Sequence, residues 1–244
     1  MQMQTEICLP AKTADASQKV RQESHVFAKG LCKEKLFWIF FIGCFVGVVL
    51  ETTLCLINNH ALQSRVGVLY GPFNPVYGVG AVLMTVALYR IAEKGDGVVF
   101  VGSALVGGVF EYVVSYMQER LFGTVSWDYS HMLLNIHGRT NLLYMLFWGM
   151  LGVVWMRCFF PALSSLIERI PMKWGQPLTV VLAVFMLANI TLSALAVERQ
   201  ANRRSGIPPA NLIQQLLDEQ YPDDYLAEVF PSMSVVGGSQ STTD

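Results

Sequence analysis

The sequence predicts an all-α, polytopic membrane protein with about five transmembrane helices. Its 244 residues are 53% hydrophobic and 14% charged, and their mean hydropathy is +0.42. Residues 36–197 contain 8 basic and 7 acidic residues, about 9% of that segment, whereas an ordinary soluble domain is about 25% charged. This composition excludes a secreted disulfide scaffold and a disordered chain. A net charge of −1 also gives no reason to expect nucleic-acid binding.

The distribution of charge divides the chain into three parts. We predict a polar N-terminal tail over residues 1–35, a helical transmembrane domain over 36–197 and a polar C-terminal tail over 198–244. Between residues 208 and 230, leucines recur at helical spacing beside acidic residues. This pattern predicts a short acidic amphipathic helix within the C-terminal tail.

Five apolar stretches are candidates for transmembrane helices, because a hydrocarbon core of about 30 Å needs about 20 helical residues. They are residues 36–57, 77–88, 98–117, 142–160 and 178–197. The second stretch is short, since Arg90 closes it soon after Tyr77. It begins either after a loop on the membrane surface or earlier, as a broken or re-entrant segment that includes Gly71, Pro72 and Pro75. Non-helical backbone at that depth is tolerated only where protein or a wet cavity surrounds it.

The connection between the fourth and fifth stretches has the pattern of an interfacial helix. Pro161 stands at a favoured first helical position, apolar residues follow at helical spacing, and Trp174 is a candidate interfacial anchor. The helix is either a connector on the membrane or a docking surface for a cytoplasmic partner. Counts of Lys and Arg near the spans, nine against six, favour a cytoplasmic N-terminus.

The first and third stretches carry the same pattern of small residues around a glutamate, repeated every four residues and offset by sixty. Gly78 and Gly138, where the following spans are expected to begin, keep that offset. The positions are Gly43, Gly47, Glu51 and Cys55 in the first stretch, and Ser103, Gly107, Glu111 and Ser115 in the third. Residues at this spacing share one helix face, and small residues let helices approach closely in lipid. The pattern predicts a parallel two-fold repeat, with chance similarity between apolar segments as the alternative.

Glu51 and Glu111 are the principal candidates for a functional site. A charged side chain in the bilayer centre costs at least about 2.5–3.5 kcal/mol, so such residues usually face the protein interior and belong to a pathway. The nearest cations in sequence are Arg139 and Arg65. We predict an intramembrane polar or substrate site formed by Glu51, Glu111 and Arg139. The alternative is an ion-paired clamp that only holds helices together.

Loop residues near these charges are expected to support the site. They are Gly71, Pro72, Pro75, Tyr77, Trp127, Asp128, Tyr129 and Asn135. His131 and His137 stand near Asp128, but their spacing is not that of a zinc site. We therefore predict neither a metal nor a cofactor.

The same residues carry a family resemblance. The motifs are Glu51, Gly71-Pro72, Pro75, Tyr77-Gly78, Glu111-Tyr112, Trp127-Asp128-Tyr129-Ser130, Asn135, Gly138-Arg139 and Trp148-Gly149. Together they resemble the bacterial family described as putative ABC-transporter permease, type IV (CmpB-like), over about residues 36–233. The resemblance implies a multi-pass protein of the cell (cytoplasmic) membrane. It also implies a nucleotide-binding ATPase as partner, but it names no substrate. Asn189 stands where the resemblance leads us to expect an acidic residue.

Two functions follow as expectations. The first is a permease-like transporter subunit that works as a homo- or hetero-oligomer in the lipid bilayer. It is not itself an enzyme, because the sequence lacks a G-x-x-x-x-G-K-[ST] loop. The second is a membrane-embedded sensor or scaffold without transport activity. A membrane enzyme that uses the loop histidines is the weakest reading, since no nucleophile–base pair can be identified.

Overall fold

The computed structural model describes residues 26–59 and 63–235. Most of the predicted N-terminal tail and the last nine residues of the C-terminal tail lie outside the described residues. The helices are α1 Lys33–Asn59, α2 Pro75–Tyr89, α3 Asp96–Phe122, α4 Leu142–Val154, α5 Phe160–Glu168, α6 Met172–Arg204, α7 Leu212–Gln220 and α8 Asp223–Val229. The strands are β1 Thr124–Val125, β2 Asn135–Ile136, β3 Thr140–Asn141 and β4 Ser234–Val235.

The predicted class, a polytopic helical membrane protein, is confirmed. Four helical stretches are long and apolar enough to cross a membrane: Lys33–Ile57, Asp96–Phe122, Leu142–Glu168 and Met172–Arg204. The third of these joins α4 and α5 through a π-helical segment, Trp155–Phe159. The fifth candidate, α2, has 15 residues. At 1.5 Å per residue it is about 22 Å long, which is short of a full bilayer core.

Two helical hairpins, α1–α2 and α3–α4, form the centre of the molecule. The predicted small-residue faces of α1 and α3 lie against the second helix of each hairpin. A Cβ atom on Gly47 would overlap the ring of Tyr77, and one on Gly107 would overlap the ring of Trp148. The small residues therefore let each hairpin close around an aromatic side chain.

The repeat at offset sixty holds for the first helix of each hairpin but not for the second. Tyr77 of α2 and Trp148 of α4 occupy matching places but stand 71 residues apart. Gly138 does not begin a helix: it lies in the turn between β2 and β3 with a φ of +68°. The chain between α3 and α4 contains that extra strand pair, so the second helices are displaced in sequence.

The polar contacts at the ends of the helices define two sides of the membrane. On the first side, the Nζ atom of Lys35 lies 2.6 Å from Glu168, and Arg157 pairs with Asp96 at 2.7 Å. The expected interfacial helix over residues 161–174 is wrong as a single element. Here α5 ends at Glu168, and α6 begins at Met172 after a turn. On the opposite, second side, α6 continues to Arg204 and is followed by α7 and α8.

Candidate intramembrane polar site

Glu51 lies on α1 about 12 Å before the end of that helix, at 1.5 Å per residue. Its carboxylate is 3.6 Å from the Nε atom of Arg65, which belongs to the non-helical segment before α2. A second nitrogen of the same guanidinium lies 3.5 Å from the sulfur of Cys55. Glu51 thus connects α1 to the segment that follows it.

Glu111 occupies the matching position on α3, about 16 Å before the end of that helix. The buried hydroxyl of Thr140 donates a 2.9 Å hydrogen bond to its carboxylate. The side chains of Tyr129 and Trp148 also face this carboxylate. These three neighbours are all neutral, so the charge of Glu111 is solvated by hydroxyl and indole groups.

Tyr129 lies near both carboxylates. Its phenol interacts electrostatically with both Glu51 and Glu111, and its ring stacks on Tyr144 with the centroids 4.5 Å apart. Tyr129, which neither hairpin helix carries, therefore hydrogen-bonds to Glu111 and lies within electrostatic range of Glu51. The motif Trp127-Asp128-Tyr129-Ser130 was expected to support the site. It places Tyr129 beside Glu111, and its functional role stays a prediction.

Contrary to the prediction, Arg139 does not bind Glu51 or Glu111 directly. Its guanidinium pairs with Glu119, donates a 3.3 Å hydrogen bond to Ser115, and lies over the rings of Tyr112 and Tyr116. The cation beside Glu51 is Arg65 instead. Sequence reasoning missed Glu119, although it stands four residues after Ser115 and continues the four-residue spacing of the α3 stripe.

The loop between β1 and β3 is shaped by the predicted support residues. The Asp128 carboxylate accepts a 2.8 Å hydrogen bond from the backbone of Ser130, and the Trp127 indole donates to the carbonyl of Arg139 at 2.9 Å. The side chain of Asn135 accepts from the backbone of Gly138 at 2.9 Å. These bonds fix a tight hairpin that presents Tyr129 and Thr140 to the carboxylates.

The segment before α2 is re-entrant rather than a surface loop. The backbone N–H of Asn74 donates to the carbonyl of Cys44 at 3.0 Å, and Cys44 lies about 22 Å inside the end of α1. The Asn74 side chain caps α2, whose first residue is Pro75. Gly71 adopts a φ of +78° just before Pro72, a conformation that favours glycine.

The backbone of this re-entrant segment is satisfied by side chains of α6. The amide of Asn189 accepts a 3.2 Å hydrogen bond from the N–H of Tyr70 and donates a 2.7 Å bond to its carbonyl. The Ser193 hydroxyl accepts from the N–H of Leu69 at 2.9 Å. The resemblance suggested an acidic residue at position 189. A carboxylate accepts but cannot donate, so an amide suits this backbone better.

Residues 38–194 match the model of the family described as Putative ABC-transporter type IV. The chain belongs to this family. Neither the curated proteins nor the solved structures gave a match.

The region matched by the family model contains the two hairpins but not the C-terminal helices. It begins within α1 and ends within α6, so it includes both hairpins of this ABC-transporter-type protein and the residues Glu51, Glu111 and Arg139. It ends before Arg199 and the helices α7 and α8. The candidate site is thus part of the region that defines the family, whereas the C-terminal helices lie beyond it.

Proposed function

We propose that the chain is the permease subunit of an ABC-type transporter in the cell membrane, with Glu51 and Glu111 lining its polar path. Its membership of an ABC-transporter family and its membrane-spanning helices support a transporter-type subunit. The observation that carries the finer proposal is the re-entrant segment, which reaches Cys44 near the middle of α1. Discontinuous helices with irregular backbone at the midplane are typical of transporter binding sites.

The chemistry of Glu111 suits a path for polar solutes. Its partners are the hydroxyl of Thr140 and the side chains of Tyr129 and Trp148, which are neutral. A carboxylate kept at this depth without a guanidinium in its immediate contacts costs free energy. We propose that this cost is retained because the carboxylate meets the solute, its counter-ion or a proton during transport.

The test replaces each glutamate with glutamine. A strain that lacks the chain is screened against nutrients and toxic solutes, and the growth defect that emerges is complemented with E51Q, E111Q or the control E93Q. Glu93 is exposed on the first side, away from the site. We expect both site variants to reach the membrane at normal levels yet fail to complement, while E93Q complements fully. Full complementation by E51Q and E111Q would contradict the proposal.

We also propose that a separate ATPase subunit supplies ATP hydrolysis, since the sequence contains no Walker A loop. The proposed docking surface is the first side, around Leu166 of α5 and Trp174 of α6, whose side chains are 58% and 62% exposed. The Lys and Arg counts favour this side as cytoplasmic. Four spanning stretches and the short helix α2 are few for a complete pore, so we propose that the working unit contains more than one membrane subunit.

Affinity purification of the full chain from native membranes tests the partner. We expect a nucleotide-binding ATPase to co-purify and to be lost with L166R. The control I213R alters an exposed apolar residue on the second side and should keep the ATPase. A clean preparation of the intact chain without any ATPase would refute this part of the proposal. Native mass spectrometry of the same preparation gives the number of membrane subunits.

A sensor or scaffold is the second candidate, and one observation favours it. Glu51 and Glu111 each connect a helix to a neighbouring loop, through Arg65 and Thr140 respectively. If these contacts serve only to hold the fold together, E51Q and E111Q lower the amount of folded protein. Deletion of residues 208–244 then abolishes function. The complementation experiment separates the two functions when it is run with a quantitative immunoblot.

A further inference from the structure

We propose that residues 212–235, the C-terminal arm, form a releasable clasp that fastens the two hairpins together on the second side of the membrane. The arm contains α7, α8 and β4. It lies outside the region matched by the family model. It packs on α6 and contacts the segments that follow α1 and α3. It therefore connects the two hairpins on the second side.

The arm contacts the first hairpin through the re-entrant segment. The hydroxyl groups of Tyr70 and Tyr221 are 2.8 Å apart and share a hydrogen bond. The Ser64 hydroxyl lies 3.5 Å from the carbonyl of Val229. Leu69 is buried in the same apolar cluster as Leu226 of α8. One face of the arm is therefore fixed to the chain that leads into α2.

The arm contacts the second hairpin through a strand pair. Strand β4 pairs antiparallel with β1, with Thr124 opposite Val235 and Val125 opposite Ser234. Phe122, the last residue of α3, packs on the cluster that contains Leu226. Movement of the second hairpin away from the first thus requires the arm to leave at least one of them.

Two arginines of α6 hold the arm in place. Arg199 is buried and binds both carboxylate oxygens of Asp218, at 3.1 and 2.7 Å. Arg203 also pairs with Asp218, binds Asp223 at 2.9 Å and donates to the carbonyl of Tyr221 at 3.0 Å. The Asp223 side chain is 49% exposed. Ion pairs of this exposed kind are weak and screened by salt, so this end of the clasp is suited to release.

The test uses the full chain in lipid nanodiscs and measures backbone hydrogen exchange. The variants are R203D, D223R and the swap R203D/D223R, which restores opposite charges with exchanged positions. The control is D224R, which makes the same charge change one residue further along α8. Within the described residues, Asp224 has no ion pair. Folding of each variant is checked by the exchange of the core amides of α3.

We expect R203D and D223R to speed exchange about fivefold in both residues 63–74 and 123–141, because each reversal replaces an attraction with a repulsion. The swap should return both segments only part of the way to the wild-type rate, because it restores the pair between positions 203 and 223 but places an aspartate at position 203 beside Asp218 and removes the donor to the Tyr221 carbonyl. D224R should leave both segments unchanged. Faster exchange confined to the arm itself would overturn the proposal, and so would equal effects of D224R. If a reversal unfolds the protein, R203Q and D223N replace it with the same criteria. A role of arm release in transport rests on the proposed function. The hydrogen-exchange rates do not depend on transport, so the clasp and the proposed function can fail independently.

Discussion

Replacement of Asn189 tests whether α6 holds the re-entrant segment. The Asn189 side chain is 3% exposed and makes two hydrogen bonds to the backbone of Tyr70. In N189D one carboxylate oxygen still accepts from the Tyr70 N–H. The other faces the Tyr70 carbonyl with no proton to donate, at a distance that was 2.7 Å in the native pair.

The size of the effect follows from that lost bond. Leaving a buried acceptor unsatisfied costs about 1–3 kcal/mol, and the opposed oxygens add to this. For a chain of this length, 1 kcal/mol corresponds to a change of about 2–4 °C in Tm. For a central cost of about 2 kcal/mol, we therefore expect N189D to lower Tm by about 4–8 °C. The matched control N202D makes the same chemical change further along α6 and should shift Tm by no more than about 2 °C.

Two measurements on purified protein at neutral pH check the prediction. Thermal unfolding in detergent gives Tm, and hydrogen exchange gives the protection of residues 63–74. We expect the loss of protection in N189D to be concentrated in that segment. Unchanged protection there, or equal Tm shifts for N189D and N202D, would show that Asn189 does not hold the segment.

Two further predictions concern helix packing and the C-terminal arm. G107A should lower Tm because the added methyl group overlaps the Trp148 ring, at a cost of about 1–3 kcal/mol. The control is G97A, since a methyl group at Gly97 meets nothing within 4 Å. Equal Tm values for G107A and G97A would contradict the packing. The hydrogen bond from Arg199 holds the pKa of Asp218 below its usual range. Its contribution is therefore present above about pH 4 and is lost as the pH falls through the lower folded-state pKa. Limited digestion with pepsin should release the arm of wild-type protein only at strongly acidic pH. It should release the arm of D218N at less acidic pH, because D218N lacks the charge that binds Arg199 but keeps the pair between Arg203 and Asp223. Release of the wild-type arm near pH 5 would contradict this.

The sequence predicted those parts of the fold that lipid itself dictates. Long apolar runs must be helical in a bilayer, since every backbone polar group needs an internal partner. For this reason α1, α3 and α6 fall where hydropathy placed them. The small residues Gly47 and Gly107 indicated close helix packing before their aromatic partners were known. These features are local or periodic, so one sequence is enough to find them.

The parts that sequence analysis left open depend on contacts between distant residues. Whether the segment around Gly71 is re-entrant depends on Asn189, which follows more than a hundred residues later. The partner of Arg139 is Glu119 rather than Glu111, a choice that the geometry of the loop decides. Hydropathy and spacing show which residues are charged and buried. They do not show which neighbour each one meets.

The contact between Tyr70 and Asn189 also constrains the order in which the protein assembles. The two residues are 119 positions apart. At about 5–20 residues per second, the ribosome makes Asn189 about 6–24 s after Tyr70. During that interval the polar backbone around Tyr70 has no side chain of α6 to bind and is costly to place in lipid. We therefore expect the first hairpin to reach its final depth only after α6 has entered the membrane, and a chain truncated before α6 to leave it incomplete.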